Sequence, residues 1–188
     1  MRFSFATPIV AAMLPDRFHS PDHVLRPLSM EDAENIFNGY AQYPEVSRYT
    51  IWVPHKRLSK TKEFVAACIS TPPEVSRTYS VYDTKETSFR GLLSLRQIKP
   101  FHVEVGYVLA RPWWGRGVMT DVLKTTVKLM LSQRECFRVS GICDVENVGS
   151  ARAMEKAGLT REGVLRRYIV HPNVSSSPRD CFIYAAVK

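Results

Sequence analysis

The feature that most constrains this chain is a change of hydrophobic repeat between residues 102 and 133. From His102 to Leu109 the side chains alternate between two faces, which is the two-residue repeat of a strand. Pro112 then ends the strand, because proline has no N–H for the hydrogen-bond ladder. From Val118 the apolar residues follow the spacing of an amphipathic helix. The segment therefore predicts a strand, a turn and a helix.

Two glycines, Gly115 and Gly117, lie in the turn, within the run Trp-Trp-Gly-Arg-Gly. Glycines between a strand and a helix leave backbone N–H groups exposed, and the helix N-terminus adds about half a positive charge. This combination favours an anion, and a phosphate in particular. A plain turn without a ligand is the alternative, since Gly-x-Gly often occurs by chance. The motifs of nucleotide-triphosphate loops and of dinucleotide sites are absent.

Composition and charge limit the classes of partner. The chain has 188 residues, 45% of them hydrophobic, and a formal net charge of +8. We expect one domain over residues 1–188, with residues 1–22 as an N-terminal arm or an extra edge strand. No apolar run approaches the roughly 20 residues that span a bilayer, so no membrane partner is expected. The charge favours anionic partners, but the basic residues are scattered and no RNA-recognition motif occurs, so no direct nucleic-acid partner is expected.

The cysteines predict neither a metal site nor a disulfide framework. Cys68, Cys136, Cys143 and Cys181 contain no C-x-x-C pair and no zinc spacing with histidine. We therefore expect free thiols, no metal, and a reducing compartment, the cytoplasm.

The whole chain reads as β-α-α-β-β-β-α-β-α-β-β, a mixed α/β pattern of the α+β kind. Ser29 is expected to open a first helix that stops at Asn38-Gly39, and Ser59 to cap a second helix over 60–69. A short helix and a loop are expected in 40–58. The remaining predicted elements are strands over 24–28, 77–82, 90–99, 138–145, 159–171 and 180–187, and a helix over 147–158.

Two segments carry a resemblance to a known family. GYVLARPWWGRGVMTDVL and, further on, CDVENVGSARAMEKAGLTREGVLRR resemble the GNAT superfamily of N-acetyltransferases, most closely the RimJ/RimL branch, which acetylates protein N-termini. The resemblance covers about residues 24–187. It implies a mixed, mostly antiparallel twisted sheet of about seven strands with splayed central parallel strands, flanked by about four helices. It also implies acetyl-CoA as the cosubstrate.

The resemblance implies a cofactor site around the glycine turn. Backbone N–H groups of residues 114–120 would hold the diphosphate, and residues 106–109 would splay from the next strand near Ile142-Cys143 so that the pantetheine arm can pair with the free edge. The cofactor-binding residues expected on this basis are Tyr107, Val108, Leu109, Trp114, Gly115, Arg116, Gly117, Val118, Met119, Thr120, Asn147 and Arg152.

Amine acetylation needs a base for the ammonium, an oxyanion donor and a proton for the leaving thiolate. Glu104 is the candidate base through water, with an ordinary polar strand residue as the alternative. The tyrosine that many family members use as acid is replaced by Met154, so Ser150 is the candidate acid, with a helix N-cap as the alternative. Asn147 is expected to bind pantetheine amides or to cap the helix. The amide of Val108 or Leu109 is the oxyanion donor implied by the family.

Other residues keep two interpretations. Cys143 can lie near the cofactor sulfur, but core packing is the favoured reading. Tyr168 and His171 can line an acceptor cleft, and for His171 a surface position is favoured.

The acceptor predicted from the resemblance is a protein or peptide N-terminal α-amine. A small-molecule amine is an alternative, although the lack of an acidic cluster argues against a polyamine. A non-catalytic acyl-CoA-binding protein is a third possibility, because the usual tyrosine is missing. Homodimerisation through the C-terminal strands is a further possibility.

Overall fold

The computed structural model describes residues 16–188, so the expected N-terminal arm falls outside the described residues as far as residue 15. One eight-stranded sheet with the order β1-β2-β3-β4-β5-β6-β8-β7 forms the centre. Its strands are β1 (Phe18–His19), β2 (His23–Pro27), β3 (Ser76–Asp83), β4 (Phe89–Lys99), β5 (His102–Leu109), β6 (Arg138–Asp144), β7 (Thr160–Ile169) and β8 (Arg179–Val187). Only the β5–β6 pair is parallel, and the other neighbours are antiparallel. The mixed, mostly antiparallel fold is confirmed, with β1 as an edge strand that makes eight strands where about seven were expected.

Within residues 16–188, five α-helices flank the sheet. They are α1 (Ala33–Ile36), α2 (Pro44–Ser47), α3 (Leu58–Ser70), α4 (Val118–Ser132) and α5 (Val148–Lys156). A 3₁₀ turn over Met30–Asp32 precedes α1, a π-turn over Phe37–Ala41 follows it, and another 3₁₀ turn covers Arg111–Trp113. None of the helices in residues 16–188 has the length and apolar character needed to cross a bilayer.

The alternation predicted for β5 divides the core between the two faces of the sheet. Val103 and Val105 are buried with α4 and α5 on one face. Val108 points to the other face and packs with the residues of α1 and α3. The helical repeat of α4 is also confirmed, since Val118, Val122 and further residues of one stripe are buried. These two elements bring the glycine turn to the end of the central strand.

Two predicted helix boundaries are wrong. The first helical segment continues through Gly39 to Ala41, because Gly39 lies inside the π-turn and not at a helix end. A Cβ at Gly39 would lie 3.3 Å from the ring of Phe89, so this glycine allows close packing. The second helix begins at Leu58 with Arg57 as the N-cap, two residues before the predicted N-cap Ser59.

The first helical segment is fixed by a buried carboxylate. Asp32 accepts hydrogen bonds from Arg26 at 2.7 and 3.0 Å, from the Ser29 amide at 2.9 Å, and from the hydroxyls of Ser80 and Tyr82, each at 2.7 Å. Burial alone would raise the pKa of Asp32, but these donors outweigh it and the pKa lies below its usual range. The carboxylate thus joins β2, β3 and the turn before α1.

Candidate active site

The turn between β5 and α4 has the open geometry that the anion-site prediction requires. Gly115 and Gly117 have φ values of +72° and +80°, a left-handed conformation that L side chains rarely adopt. Apart from the adjoining residues of the turn, no atom lies within 4 Å of a Cβ built on either glycine, so no other part of the described chain fills the space beside the turn. Gly117 is the N-cap of α4 and supplies no side-chain cap, so the amides of the first helical turn point outward without an intrahelical partner.

The two tryptophans anchor the turn to the neighbouring strands. The indole N–H of Trp113 donates to the Phe89 carbonyl at 3.0 Å, and that of Trp114 donates to the Leu109 carbonyl at 2.8 Å. The backbone N–H of Trp114 already donates to the Arg111 carbonyl at 3.1 Å. The expectation that the Trp114 amide is free to hold a phosphate is therefore wrong, because the 3₁₀ turn uses that amide.

Arginines surround Trp113. The Arg90 guanidinium lies 3.3 Å from the centre of the Trp113 ring, and the Arg116 guanidinium lies 5.2 Å from it. Burial lowers the pKa of Arg90; the charge of Asp83, whose carboxylate lies 3.9 Å from the guanidinium, partly opposes this, and the positive charge of Arg116 adds to the lowering. Nε and Nη1 of Arg90 have no hydrogen-bond partner among the described residues. Arg116 itself is exposed beside the turn.

The central parallel pair opens into a fork. β5 and β6 pair from His102–Arg138 to Val105–Gly141, and the ladder then stops. Beyond that point β5 stays paired with β4, and β6 stays paired with β8. The edges of residues 106–109 and 142–144 are therefore not paired with each other, although the Leu109 carbonyl accepts from the Trp114 indole, and the predicted splay is confirmed.

Met154 closes the base of this fork. Its side chain is fully buried, and its Sδ would lie 2.7 Å from a Cβ at Gly141, the last paired residue of β6. The methionine at the place of the family's tyrosine is thus a packing residue. Its position leaves the proton-donor role to other groups.

Ser150 faces the fork through its hydroxyl. Asn147, not Ser150, is the N-cap of α5, because the Asn147 Oδ1 accepts from the Ser150 amide at 3.2 Å. The Ser150 hydroxyl instead lies 2.6 Å from the hydroxyl of Tyr107 on β5. The alternative that Ser150 is only an N-cap is therefore wrong.

Cys143 lies beside Ser150 in the fork, next to the Ser150–Tyr107 hydroxyl pair. Burial raises the pKa of the Cys143 thiol to about 12, although a hydrogen bond with the Ser150 side chain partly opposes the rise. Burial likewise raises the pKa of Tyr107 above its usual value. Tyr107 and Cys143 therefore both keep their protons near pH 7. Together with Ser150 they offer hydroxyl and thiol hydrogens as proton donors beside the fork. The four cysteines are all free.

Glu104 lies before the fork, in the paired part of β5, opposite Arg96 on β4 and Ser140 on β6. Its Oε1 is 2.6 Å from the Arg96 Nη2, and the Glu104 side chain is 15% exposed. One carboxylate oxygen is therefore committed to the arginine. A base at this position would work with the remaining oxygen, which agrees with a role through water.

A cluster that the sequence reasoning missed lies at the open end of the fork. Asp144, the last residue of β6, accepts from Arg179 Nε at 2.6 Å and Nη2 at 3.1 Å, and from the Glu146 amide at 2.9 Å. Burial would raise the pKa of Asp144, but Arg179 and the Glu146 amide lower it below its usual range. The only sequence signal was an acidic residue near the end of a predicted strand.

His171 belongs to this cluster and is 3% exposed, so its predicted surface position is wrong. Its Nδ1 lies 3.3 Å from the Thr50 carbonyl, which only accepts, so Nδ1 carries the hydrogen. Its Nε2 lies 3.6 Å from Asp144 and has no hydrogen-bond partner among the described residues. The Asn173 side chain donates to the carbonyls of Ser47 and Trp52 at 2.7 and 2.8 Å. These bonds tie the loops 48–57 and 170–178 together. Tyr168, in contrast, is exposed on β7.

The remaining expected cofactor residues lie around the same end of the sheet. Val118 and Met119 are buried through their side chains, so only their backbone can face the turn, whereas Thr120 is half-buried. Arg152 is exposed on α5, one turn from the helix start. Within residues 16–188 no group of three or more metal-ligating side chains converges.

A forked sheet beside a glycine turn that opens a helix defines the class of GNAT-type acetyltransferases. The chain belongs to the acetyltransferase (GNAT) domain family, whose sequence profile matches residues 23–160. It is 27% identical over 171 residues to the uncharacterized N-acetyltransferase YoaA of Bacillus subtilis, with 88% of this chain and 93% of YoaA covered. It is 23% identical over 158 residues to the probable N-acetyltransferase YjcK of Bacillus subtilis, with 77% of this chain and 84% of YjcK covered.

Solved structures share the fold. A GNAT-family acetyltransferase from Bacillus anthracis has a TM-score of 0.80 at 21% identity, covering 91% of this chain and 98% of that one. The microcin C7 self-immunity acetyltransferase MccE, in complex with acetyl-CoA and AMP, has a TM-score of 0.81 at 21% identity and covers 94% and 99%. The ribosomal L7/L12 α-N-protein acetyltransferase RimL, in complex with coenzyme A, has a TM-score of 0.78 at 18% identity and covers 93% and 97%. The protein is therefore an acetyltransferase of the GNAT fold.

Proposed function

We propose that this acetyltransferase transfers the acetyl group of acetyl-CoA to a protein or peptide N-terminal α-amine. The binding of acetyl-CoA is supported by one observation, the fork in the sheet directly beside an open glycine turn. A diphosphate fits the turn, since the first-turn amides of α4 and the left-handed Gly115 and Gly117 aim N–H groups at one point. Arg116 is exposed there and adds a positive charge.

The pantetheine arm takes the unpaired edge of β5. An extended chain that carries amides pairs with a free strand edge as an added strand would. Residues 107–109 offer this edge beyond the last β5–β6 pair. The amide of Val108 or Leu109 then stabilises the oxyanion that forms when the amine attacks the thioester. Asn147 and Arg152 flank the same opening from α5.

Glu104 and Ser150 carry the proton transfers. Glu104 removes a proton from the ammonium through water, with its carboxylate oriented by Arg96. Ser150 delivers a proton to the thiolate of the leaving coenzyme A, and Tyr107 orients its hydroxyl. A thiolate needs little help to leave, because an ordinary thiol pKa is near 8.5, so this second transfer is the smaller contribution.

The acceptor is proposed on the similarity of fold to RimL, an α-N-protein acetyltransferase. A small amine is the competing acceptor, since MccE, which has the same fold, was solved with acetyl-CoA and the small molecule AMP. We place the enzyme in the RimJ/RimL branch and in the cytoplasm, and a homodimer through β7 and β8 is compatible with its exposed edge strand β7.

Two measurements test this function. Acetyl-CoA is expected to raise the Tm of the purified protein, and desulfo-CoA to do so as well, because the grip is on the diphosphate and pantetheine. The protein is then incubated with acetyl-CoA and either peptides with free N-termini or small amines, and the mass gain of one acetyl group is measured. Cofactor binding without acetylation of any peptide contradicts the peptide acceptor, and acetylation of small amines alone selects the competing acceptor.

A further inference from the structure

A groove outside the fork is lined by the loop before α3, by the start of α3 and by Pro172. Its volume is about 690 Å³. Ile51 and Val53 lie along it with 74% and 58% of their surface exposed, an unusual position for two large aliphatic side chains. Trp52, between them, faces inward and packs with Tyr40 at 6.1 Å and with His55 at 5.4 Å between ring centres. The half-buried tryptophan, which also lines the groove, thus fixes a loop that presents apolar side chains outward.

Positive charge borders these apolar side chains. Lys56, Arg57 and Lys60 line the groove, and Glu63 is the only acidic residue in its lining. Lys60 is paired with Glu63 at 2.9 Å. Lys56 and Arg57 have no ion-pair partner among residues 16–188, and both are exposed. The groove therefore combines exposed aliphatic surface with two uncompensated cations.

The groove continues toward the open end of the fork. The loop that carries Ile51 and Val53 is held to the loop 170–178 by the bonds of Asn173, and Pro172 lines the groove itself. His171, next to Pro172, packs against Asp144 at the end of β6. A polypeptide that lies in the groove would therefore have one end directed to the unpaired edges of β5 and β6.

We propose that this groove binds the segment that follows the acceptor's N-terminus, and that this segment is acidic with interspersed aliphatic side chains. The proposal rests on the proposed acetyl transfer to a protein N-terminus and adds the substrate class. Carboxylates complement Lys56 and Arg57, and aliphatic side chains cover Ile51 and Val53. A nucleic acid is the less favoured occupant, because its backbone would use the cations and leave the aliphatic surface uncovered.

The test uses peptides that share their first three residues and differ downstream. One carries Asp, Glu and Leu, a second carries Lys and Leu, and a third carries Asp, Glu and Ser. The acidic-aliphatic peptide is expected to have a kcat/KM about tenfold above either of the others, because each of them loses one of the two complementary features. The preference is expected to weaken as salt rises from 50 to about 300 mM.

Charge reversal locates the effect. The variant K56E/R57E is expected to lose the preference for the acidic peptide, whereas K128E/R134E, which removes the same charge from exposed positions on and after α4, is expected to keep it. The rise of Tm with acetyl-CoA reports that each variant still folds. Equal kcat/KM for the three peptides in the wild type, with acetylation observed, overturns the inference and leaves the proposed function intact.

Direct binding separates the two proposals. The same peptides, labelled and N-terminally acetylated so that they cannot react, are titrated and followed by fluorescence anisotropy. Binding of the acidic-aliphatic peptide by wild type and K128E/R134E, with at least tenfold weaker binding by K56E/R57E, supports the inference even if no turnover is seen. Absence of binding, or equal competition by a single-stranded oligonucleotide, overturns it.

Discussion

The hydroxyl of Tyr107 lies 2.6 Å from the Ser150 Oγ and 3.2 Å from the Ser150 carbonyl, which joins β5 to α5 across the floor of the fork. If Ser150 donates the proton to the leaving thiolate, Ser150→Ala lowers kcat by about 10- to 100-fold and leaves the KM for acetyl-CoA nearly unchanged. Ser150→Thr keeps a hydroxyl and is expected to restore most of kcat. Steady-state kinetics with the best peptide measure both. A normal kcat in Ser150→Ala would remove the residue from the mechanism.

The protonation state of Tyr107 makes a second prediction. Its pKa is raised by burial, and the hydrogen bond with Ser150 reduces the rise only partly, so the hydroxyl keeps its proton above the usual tyrosine pKa of about 10. The kcat of the wild type is therefore expected not to fall through ionisation of Tyr107 between pH 8 and about 10. Tyr107→Phe is expected to leave the shape of this limb unchanged while lowering kcat. A limb that falls below pH 10 in the wild type and is absent in Tyr107→Phe would contradict the assignment.

Glu104 is tested against its ion-pair partner. Glu104→Gln is expected to lower kcat/KM by about 100-fold at pH 7, because a positioned base contributes roughly that much. Arg96 is 59% exposed, and an exposed pair contributes at most about 1 kcal/mol to stability. Arg96→Gln is therefore expected to retain most of the activity. Equal losses in the two variants would show that Glu104 acts only through the pair.

The parts of the site that depend on neighbours in sequence were predictable from the sequence, and the parts that depend on distant contacts were not. Three parts belong to the first kind. The two-residue repeat predicted strand β5, the glycines predicted the turn at Gly115 and Gly117, and the helical repeat predicted α4. The fork was implied by the family resemblance. Asp144 and Arg179 were not found, because their contact depends on the register that pairs Asp144 with Cys181 on β8. His171 was misjudged because its burial depends on contacts with Thr50 and Asp144, both distant in sequence.

The first helical segment shows the same limit. Gly39 has the sequence character of a helix stop, but the helical segment continues past it to Ala41. At this position the backbone packs closely against Phe89, fifty positions away. The sequence near Ser29 indicated a capping box, which the structure has. It contained no sign that Asp32 is also the acceptor for Arg26, Ser80 and Tyr82. Contacts that join distant strands were beyond any local pattern.

Asp32 predicts how stability depends on pH. Its folded pKa is below the ordinary value, so its contribution to the free energy of unfolding is present above the unfolded pKa of about 3.9 and is lost as pH falls through the folded pKa. Asp32→Asn removes the nearer carboxylate of the partly buried Arg26 and leaves it the longer 3.7 Å pair with Glu86, and it is expected to lower the free energy of unfolding by about 3 kcal/mol at pH 7. Below pH 4 the difference between variant and wild type is expected to shrink. Urea unfolding at both pH values measures it, and a constant difference would contradict the account.

Gly117 and Gly158 allow a matched test of whether the turn binds the diphosphate of the cofactor. Both have positive φ, at +80° and +94°, and a Cβ on either meets no atom within 4 Å. Alanine at each position is expected to destabilise the fold by about 1 kcal/mol, because the left-handed conformation is strained for any L side chain. Only Gly117→Ala adds a methyl group beside the amides at the start of α4, so only it is expected to raise the KM for acetyl-CoA, by about tenfold or more. Gly158→Ala, at the far end of α5, is expected to leave that KM unchanged. Equal KM values in the two variants, at equal loss of stability by urea unfolding, would mean that the diphosphate is bound somewhere other than this turn.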